Sequence, residues 1–268
     1  MIPWHPDRTR PRAQNLDAVV EVVRTTADRV AQALREREQL VLVLGGDCTV
    51  GIGTIAGIRS AVGDIALVYF DLHSDLNIPD TASDGALDWM ALAHMLSIDG
   101  TEPSLAHATA SDPLLAPEQV GLFAHSLSQS TRFERREIER LGLARIALED
   151  VRSDPAGAAH DMLEVLAKRS HRYAIHLDVD VVDFTDAPLS EHPSRNTGLK
   201  LDEMLDALAV LASGPGLVAI TVAELNPHNP AADKGLLQRF SASFAQAIRS
   251  SSLNVRTARP ERPRSSNH

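Results

Sequence analysis

Four short segments of this chain gather side chains that hold metals or move protons. Gly45-Gly46-Asp47-Cys48-Thr49, Asp71-Leu72-His73-Ser74-Asp75-Leu76-Asn77, Asp178-Val179-Asp180-Val181-Val182-Asp183 and Glu224-Leu225-Asn226-Pro227 each follow an apolar run. If those runs are parallel strands, all four segments lie at the carboxyl end of one sheet, where ligands of such sheets collect. An extended backbone alternates its side chains, so Asp178 and Asp180 share one side, as do Asp71, His73 and Asp75. Five carboxylates converging on a dry sheet end repel one another strongly unless cations lie among them. Carboxylate oxygens with one or two imidazoles suit Mn2+ first, then Fe2+, Co2+ or Zn2+. A single D-x-D pair at a strand end is common without metal. Two clusters, one with an interleaved histidine, point to a site.

The elements that must position these groups alternate along the chain. LVLVL (40–44), IALVYF (65–70), QVGLFAH (119–125), ARIAL (144–148), YAIHLDVD (173–180) and GLVAITVAEL (216–225) read as six buried strands. Helical spacing predicts a first helix from Asn15 to about Glu38, with Leu16, Val19, Val23 and Val30 on one face. Further helices are predicted after the Gly45-Gly46 turn, at 86–96, near 131–142, at 155–169 with Asp154 as N-cap, at 201–212 and at 233–249. The pattern specifies an α/β class with a mainly parallel sheet covered on both faces. One domain over 1–249 is expected, with an irregular start, a surface loop at 97–117 and a basic tail at 250–268 that reads as disordered.

Composition narrows the function classes. The 268 residues are 44% hydrophobic, long and apolar enough to bury a core. A net charge of −10 with 4% aromatics argues against a nucleic-acid surface. No run reaches the ~20 apolar residues of a membrane span, and the start lacks a signal-peptide pattern. With Cys48 as the lone cysteine, the expected compartment is the reducing cytoplasm.

GGDCT, DLHSDLN, HLDVDVVDF and AELNP stand in the order and spacing of the arginase–agmatinase (ureohydrolase) family, whose motifs run GGDH, DAHxDxN, S-x-D-x-D-x-x-D and E-x-N-P. The chain resembles that family over about residues 14–249. The resemblance implies a three-layer α/β/α sandwich, a pair of manganese ions and hydrolysis of a guanidine or related amidine. It assigns one ion to Cys48, Asp71, Asp75 and Asp178, and the other to Asp71, His73, Asp178 and Asp180. Asp75 and Glu224 then count as catalytic, with Glu224 pairing with the guanidinium of a small-molecule substrate. Solvent activated by the two cations attacks the trigonal carbon, and urea leaves with an amine. A homo-oligomer, trimer or hexamer, is implied as well, with neither nucleic acid nor membrane as partner.

The chain departs from the family pattern at three places. Cys48 stands where the family has a histidine ligand; a thiolate shifts preference toward Zn2+ or Fe2+, or the ligand is lost. A minor branch of the family that acts on N-hydroxyguanidines is similar in using cysteine there. Asp88 falls where the resemblance puts the proton-shuttling histidine, and its ordinary pKa of about 3.9 suits that task poorly; binding of a cationic group and a solvated helix start are the alternatives. Asp84 replaces a hydroxyl that, with Asn77 and a further asparagine, grips an α-carboxylate in arginases, and Ala86 replaces that asparagine. The substrate implied is an agmatine-like, capped or N-hydroxylated guanidine, not free arginine. The alternative is a catalytically impaired relative with a binding or regulatory role. Family members also begin with a strand and a substrate-facing loop about 60 residues before the helix that opens this chain, so either the start is misassigned or the sheet lacks its first strand and exposes an edge.

Weaker signals resolve to structure. GIGTIAG (51–57) has the wrong spacing for a dinucleotide loop, and its glycines read as close-packing positions against the sheet. RFERREIER (132–140) reads as a solvated helix face, His160 with Glu164 as a surface pair, and His176 as a core histidine. His228 is either a pocket residue or a loop residue.

Overall fold

The computed structural model describes residues 9–36, 40–109, 111–193, 195–229, 231–233 and 235–257. The opening WHP, the end of the first predicted helix and the last part of the basic tail lie outside them. Strands β1 (Val41–Leu44), β2 (Ala66–Phe70), β3 (Val120–His125), β4 (Ala144–Ala147), β5 (Tyr173–Asp178) and β6 (Leu217–Ala223) form one parallel sheet in the order β1-β6-β5-β2-β3-β4.

Central β2 is buried at every residue because its alternate side chains feed two cores. Leu67 and Tyr69 join Val23, Val30, Ile52 and Ile55 on one face. Val68 and Phe70 join Met162, Leu208 and Phe240 on the other. The first face carries α1 (Leu16–Arg35), α2 (Val50–Val62), α3 (Ala91–Met95), α4 (Pro103–Ala106) and α5 (Arg132–Leu141). The second carries α6 (Leu148–Ser153), α7 (Pro155–Ala167), α8 (Leu201–Ser213) and α9 (Leu236–Thr257). This is the expected three-layer α/β/α sandwich. Gly53 and Gly57 serve helix–helix rather than helix–sheet contact: a Cβ on either would fall 2.5 Å from a carbonyl oxygen of α1.

Several expectations need correction. β1 is not buried on both faces, since Leu42 and Leu44 are 44% and 71% exposed. As an outer strand bonded to β6, it has one face against α1 and α2 and the other without cover among the described residues. The segment 86–96 opens as a single 3-10 turn, Asp88–Met90, before α3. The 97–117 loop contains α4 and buries Leu105, Leu114 and Leu115. The tail expected to be disordered from Ser250 continues α9 to Thr257.

Candidate metal centre

The site is built by carboxylates that close their own loops. Asp71 N donates to Phe123 O at 3.1 Å, carrying the β2–β3 ladder one residue past the strand. Asp71 Oδ1 then accepts from His73 N at 2.7 Å and turns the chain. By Asp75 the backbone is left-handed, φ 47°. After β5, Asp178 Oδ1 accepts from Asp180 N at 2.8 Å and opens the 3-10 turn Val179–Val181. The alternation argument therefore fails: neither acidic cluster is extended, and aspartate-closed turns bring the groups together instead.

Contacts between loops complete the arrangement. His73 Nδ1 lies 3.4 Å from Asp71 Oδ1 and 3.2 Å from Asp180 Oδ2, bridging the β2 and β5 ends. Cys48, at the entry to α2, places Sγ 3.1 Å from Asp178 Oδ2. Glu224, left-handed at φ 61°, donates its N–H to Gly46 O at 2.7 Å and so pins the β6 end to the Gly45-Gly46 turn.

Three groups place one ligand atom per residue within 4.8 Å of one another: Cys48, Asp71 and Asp75; Asp71, His73 and Asp180; and Cys48, Asp178 and Glu224. Asp71 Oδ2 and Asp180 Oδ1 are buried without any hydrogen-bond partner. Buried acceptors are rarely left so. Unpartnered carboxylate oxygens beside an imidazole and a sulfur are a donor set that fits divalent cations.

The electrostatics of the cleft follow from burying several carboxylates side by side. Burial pushes the Asp71 carboxyl up to about 6, with the charge of Asp180 adding to it and His73 opposing. Burial and neighbouring aspartates raise Asp75 and Asp178 well above the carboxylate range. Glu224 is pushed up to about 9 by burial, then by Asp88 and Asp47. Burial alone would lower His73, yet Asp180 and Asp71 carry it far above the ordinary imidazole range. Burial, followed by Asp178, raises the Cys48 thiol.

Of the remaining expected site residues, Asp88 faces the cleft with Cys48, His73, Asp75, Asp178, Asp180 and Glu224. Burial and Asp47 lift its carboxyl to about 6. Asn77 is turned inward instead: it is buried, and its Oδ1 accepts from Thr81 and Thr131 at 3.1 and 3.0 Å. Asp84 is exposed at a turn and bonds Ala86 N, outside the cleft wall. His228 is an exposed loop residue, and His160 and Glu164 are both exposed on α7.

Sequence reasoning missed Trp89 and His192, which line the mouth with their rings 6.4 Å apart. It also missed Tyr69, whose hydroxyl donates to Asp75 Oδ2, and Glu134, which is buried rather than solvated.

The family described as the Arginase family matches residues 9–250, and the chain belongs to it. The chain is 29% identical to the arginase of Bacillus caldovelox over 227 residues, 81% of this chain and 71% of that one. It is 30% identical to the arginase of Bacillus subtilis over 217 residues, 80% of this chain and 70% of that one. The native structure of the Bacillus caldovelox arginase superposes with a TM-score of 0.82 at 25% identity, covering 92% of this chain and 80% of that one. The chain is thus an arginase-family hydrolase with a candidate metal centre at the carboxyl ends of β2, β5 and β6.

Proposed function

We propose that this protein is a metal-dependent hydrolase that cleaves a guanidine C–N bond with water. It releases urea, or hydroxyurea from an N-hydroxyguanidine, together with an amine. The observation that carries this reading is the pair of partnerless buried oxygens, Asp71 Oδ2 and Asp180 Oδ1, in ligand groups joined through Asp71. Two Mn2+ ions held there, or Zn2+ or Fe2+ on the Cys48 side, would supply a lowered pKa for water and polarisation of the substrate.

The chain's own residues do the rest. Cys48, Asp71, Asp75 and Asp178 hold one cation, and Asp71, His73, Asp178 and Asp180 the other. Glu224 pairs with the guanidinium, whose arrival supplies the counter-charge that restores its carboxylate. Asp88 carries a proton toward the departing amine. Trp89 and His192 offer aromatic faces suited to a planar cation. A lone cysteine in such a centre suits the reducing cytoplasm.

The cleft lining contains no lysine or arginine among the described residues. The α-carboxylate of free arginine would therefore meet no cation in that lining, while Asp88, with Asp84 adding negative charge beside it, would repel it. Agmatine-like, capped or N-hydroxylated guanidines avoid that repulsion. The relatives named arginases favour free arginine as the competing substrate. Urea or hydroxyurea release by Mn2+-loaded protein decides between them. The kcat/KM for agmatine or an alkyl N-hydroxyguanidine is expected to exceed that for arginine by ~10-fold or more. A higher value for arginine overturns the substrate reading. Full metal occupancy with no turnover of any guanidine leaves a non-catalytic relative.

A further inference from the structure

His176 lies in β5 two residues before Asp178, is 1% exposed, and places Nε2 3.3 Å from Cys48 Sγ. Its ring stacks on Tyr69 at 4.6 Å with planes 7° apart. The hydroxyl of that same tyrosine is bonded to Asp75. Gly51 opens the slot, since a Cβ there would fall 2.7 Å from His176 Nδ1. In the family motifs quoted above, position 48 is a histidine and position 176 a serine. Here the large ring and the small side chain have changed places, and the ring fills the volume beside the sulfur.

The hydrogen on that ring is placed by elimination. A neutral imidazole carries one N–H. On Nδ1, which has no partner, it would be an orphaned buried donor. On Nε2 it meets Cys48 Sγ, whose own hydrogen points to Asp178 Oδ2 at 3.1 Å.

We propose that His176 is the positioning residue for Cys48, donating Nε2–H to Sγ and holding the sulfur toward the first cation as its ligand; this rests on the metal-centre reading above. Donors of this kind orient a metal ligand and tune it from outside the coordination sphere.

Cobalt-loaded full-length protein tests the assignment without recourse to turnover. It is expected to show a sulfur-to-cobalt charge-transfer band that Cys48→Ser abolishes. His176→Ser is expected to shift that band and to weaken cobalt binding about 10–100-fold. His176→Gln, which returns an N–H donor to the same region, is expected to restore most of both. If His176→Ser fails to fold by circular dichroism, His176→Met against His176→Gln carries the same comparison. An unchanged band and affinity on loss of the donor overturn the proposal and leave His176 a packing residue. Stoichiometric cobalt without a sulfur band also overturns it, while the metal-centre reading stands. No bound cobalt in any variant defeats that reading itself.

Discussion

Glu134 on α5 reaches back beneath the site and accepts the hydroxyl of Ser74 at 2.9 Å, in the middle of the loop that carries Asp71, His73 and Asp75. Its carboxylate also accepts from Leu76 N at 3.3 Å and Thr131 N at 2.7 Å, so one buried group caps the helix and clamps the ligand loop. Glu134→Ala strands three donors in the interior. The expected cost is about 2–4 kcal/mol of stability, from hydrogen bonds to a charged acceptor and the donors left unpaired. Urea denaturation of the metal-free protein measures it; a change near zero would show that the clamp is dispensable.

Tyr69 acts on the same loop. Its hydroxyl donates to Asp75, and burial raises that phenol further from ionisation, so the donor hydrogen is kept. Tyr69→Phe keeps the ring and its stacking on His176 but leaves Asp75 without its partner. Metal affinity is expected to fall about 10–100-fold, as for other outer-shell partners, with the melting temperature of the metal-free protein little changed. Calorimetric titration with Mn2+ separates the two effects.

The metal-free protein should lose stability as the pH rises above neutrality. Asp88 at about 6 and Glu224 at about 9 both bind protons more tightly folded than unfolded, where their reference values are 3.8 and 4.5. Their favourable contribution is therefore complete below the unfolded values and disappears as pH climbs through 6 and then 9. Below neutrality the buried His94, His125 and His176, lowered by burial to about 4, 3 and 3, work the other way, so thermal melts from about pH 7 to about pH 9 are the test and should show a falling midpoint. Glu224→Gln should flatten the upper part of that fall, and saturating Mn2+ should oppose it. A midpoint that rises over the range contradicts the electrostatic account of the cleft.

The sheet and the acidic clusters were legible in the sequence because buried strands are short apolar runs and their carboxyl ends carry the chemistry. The geometry within the clusters was not. Asp71 and Asp178 accept hydrogen bonds from backbone two residues on, and this local closure overrides strand alternation. Glu134 was concealed inside a charge run whose composition matches a solvated face; its place three residues after Thr131, the capping-box spacing, was the available signal. Asn77 sits in a recognisable motif, yet two threonine hydroxyls far apart in sequence claim its oxygen. Trp89 and His192 come from segments remote in sequence, and only the folded chain joins them at the mouth.

Asp88 offers the sharpest test of the chemistry. Burial and Asp47 lift its carboxyl to about 6, nearer neutrality than a free carboxyl. Two roles compete for it: passing a proton to the departing amine, or pairing with a cationic group on the substrate. They separate in the kinetics. Loss of a proton carrier lowers kcat by ~10²-fold or more with KM nearly unchanged, whereas loss of a binding partner raises KM and spares kcat. Asp88→Asn keeps the shape and removes the titration, so it is expected to show the first pattern on the best guanidine substrate. Asp88→His, which restores a titratable group, should recover part of the loss and displace the pH–rate profile upward. A raised KM with intact kcat in the asparagine variant would reassign Asp88 to substrate binding.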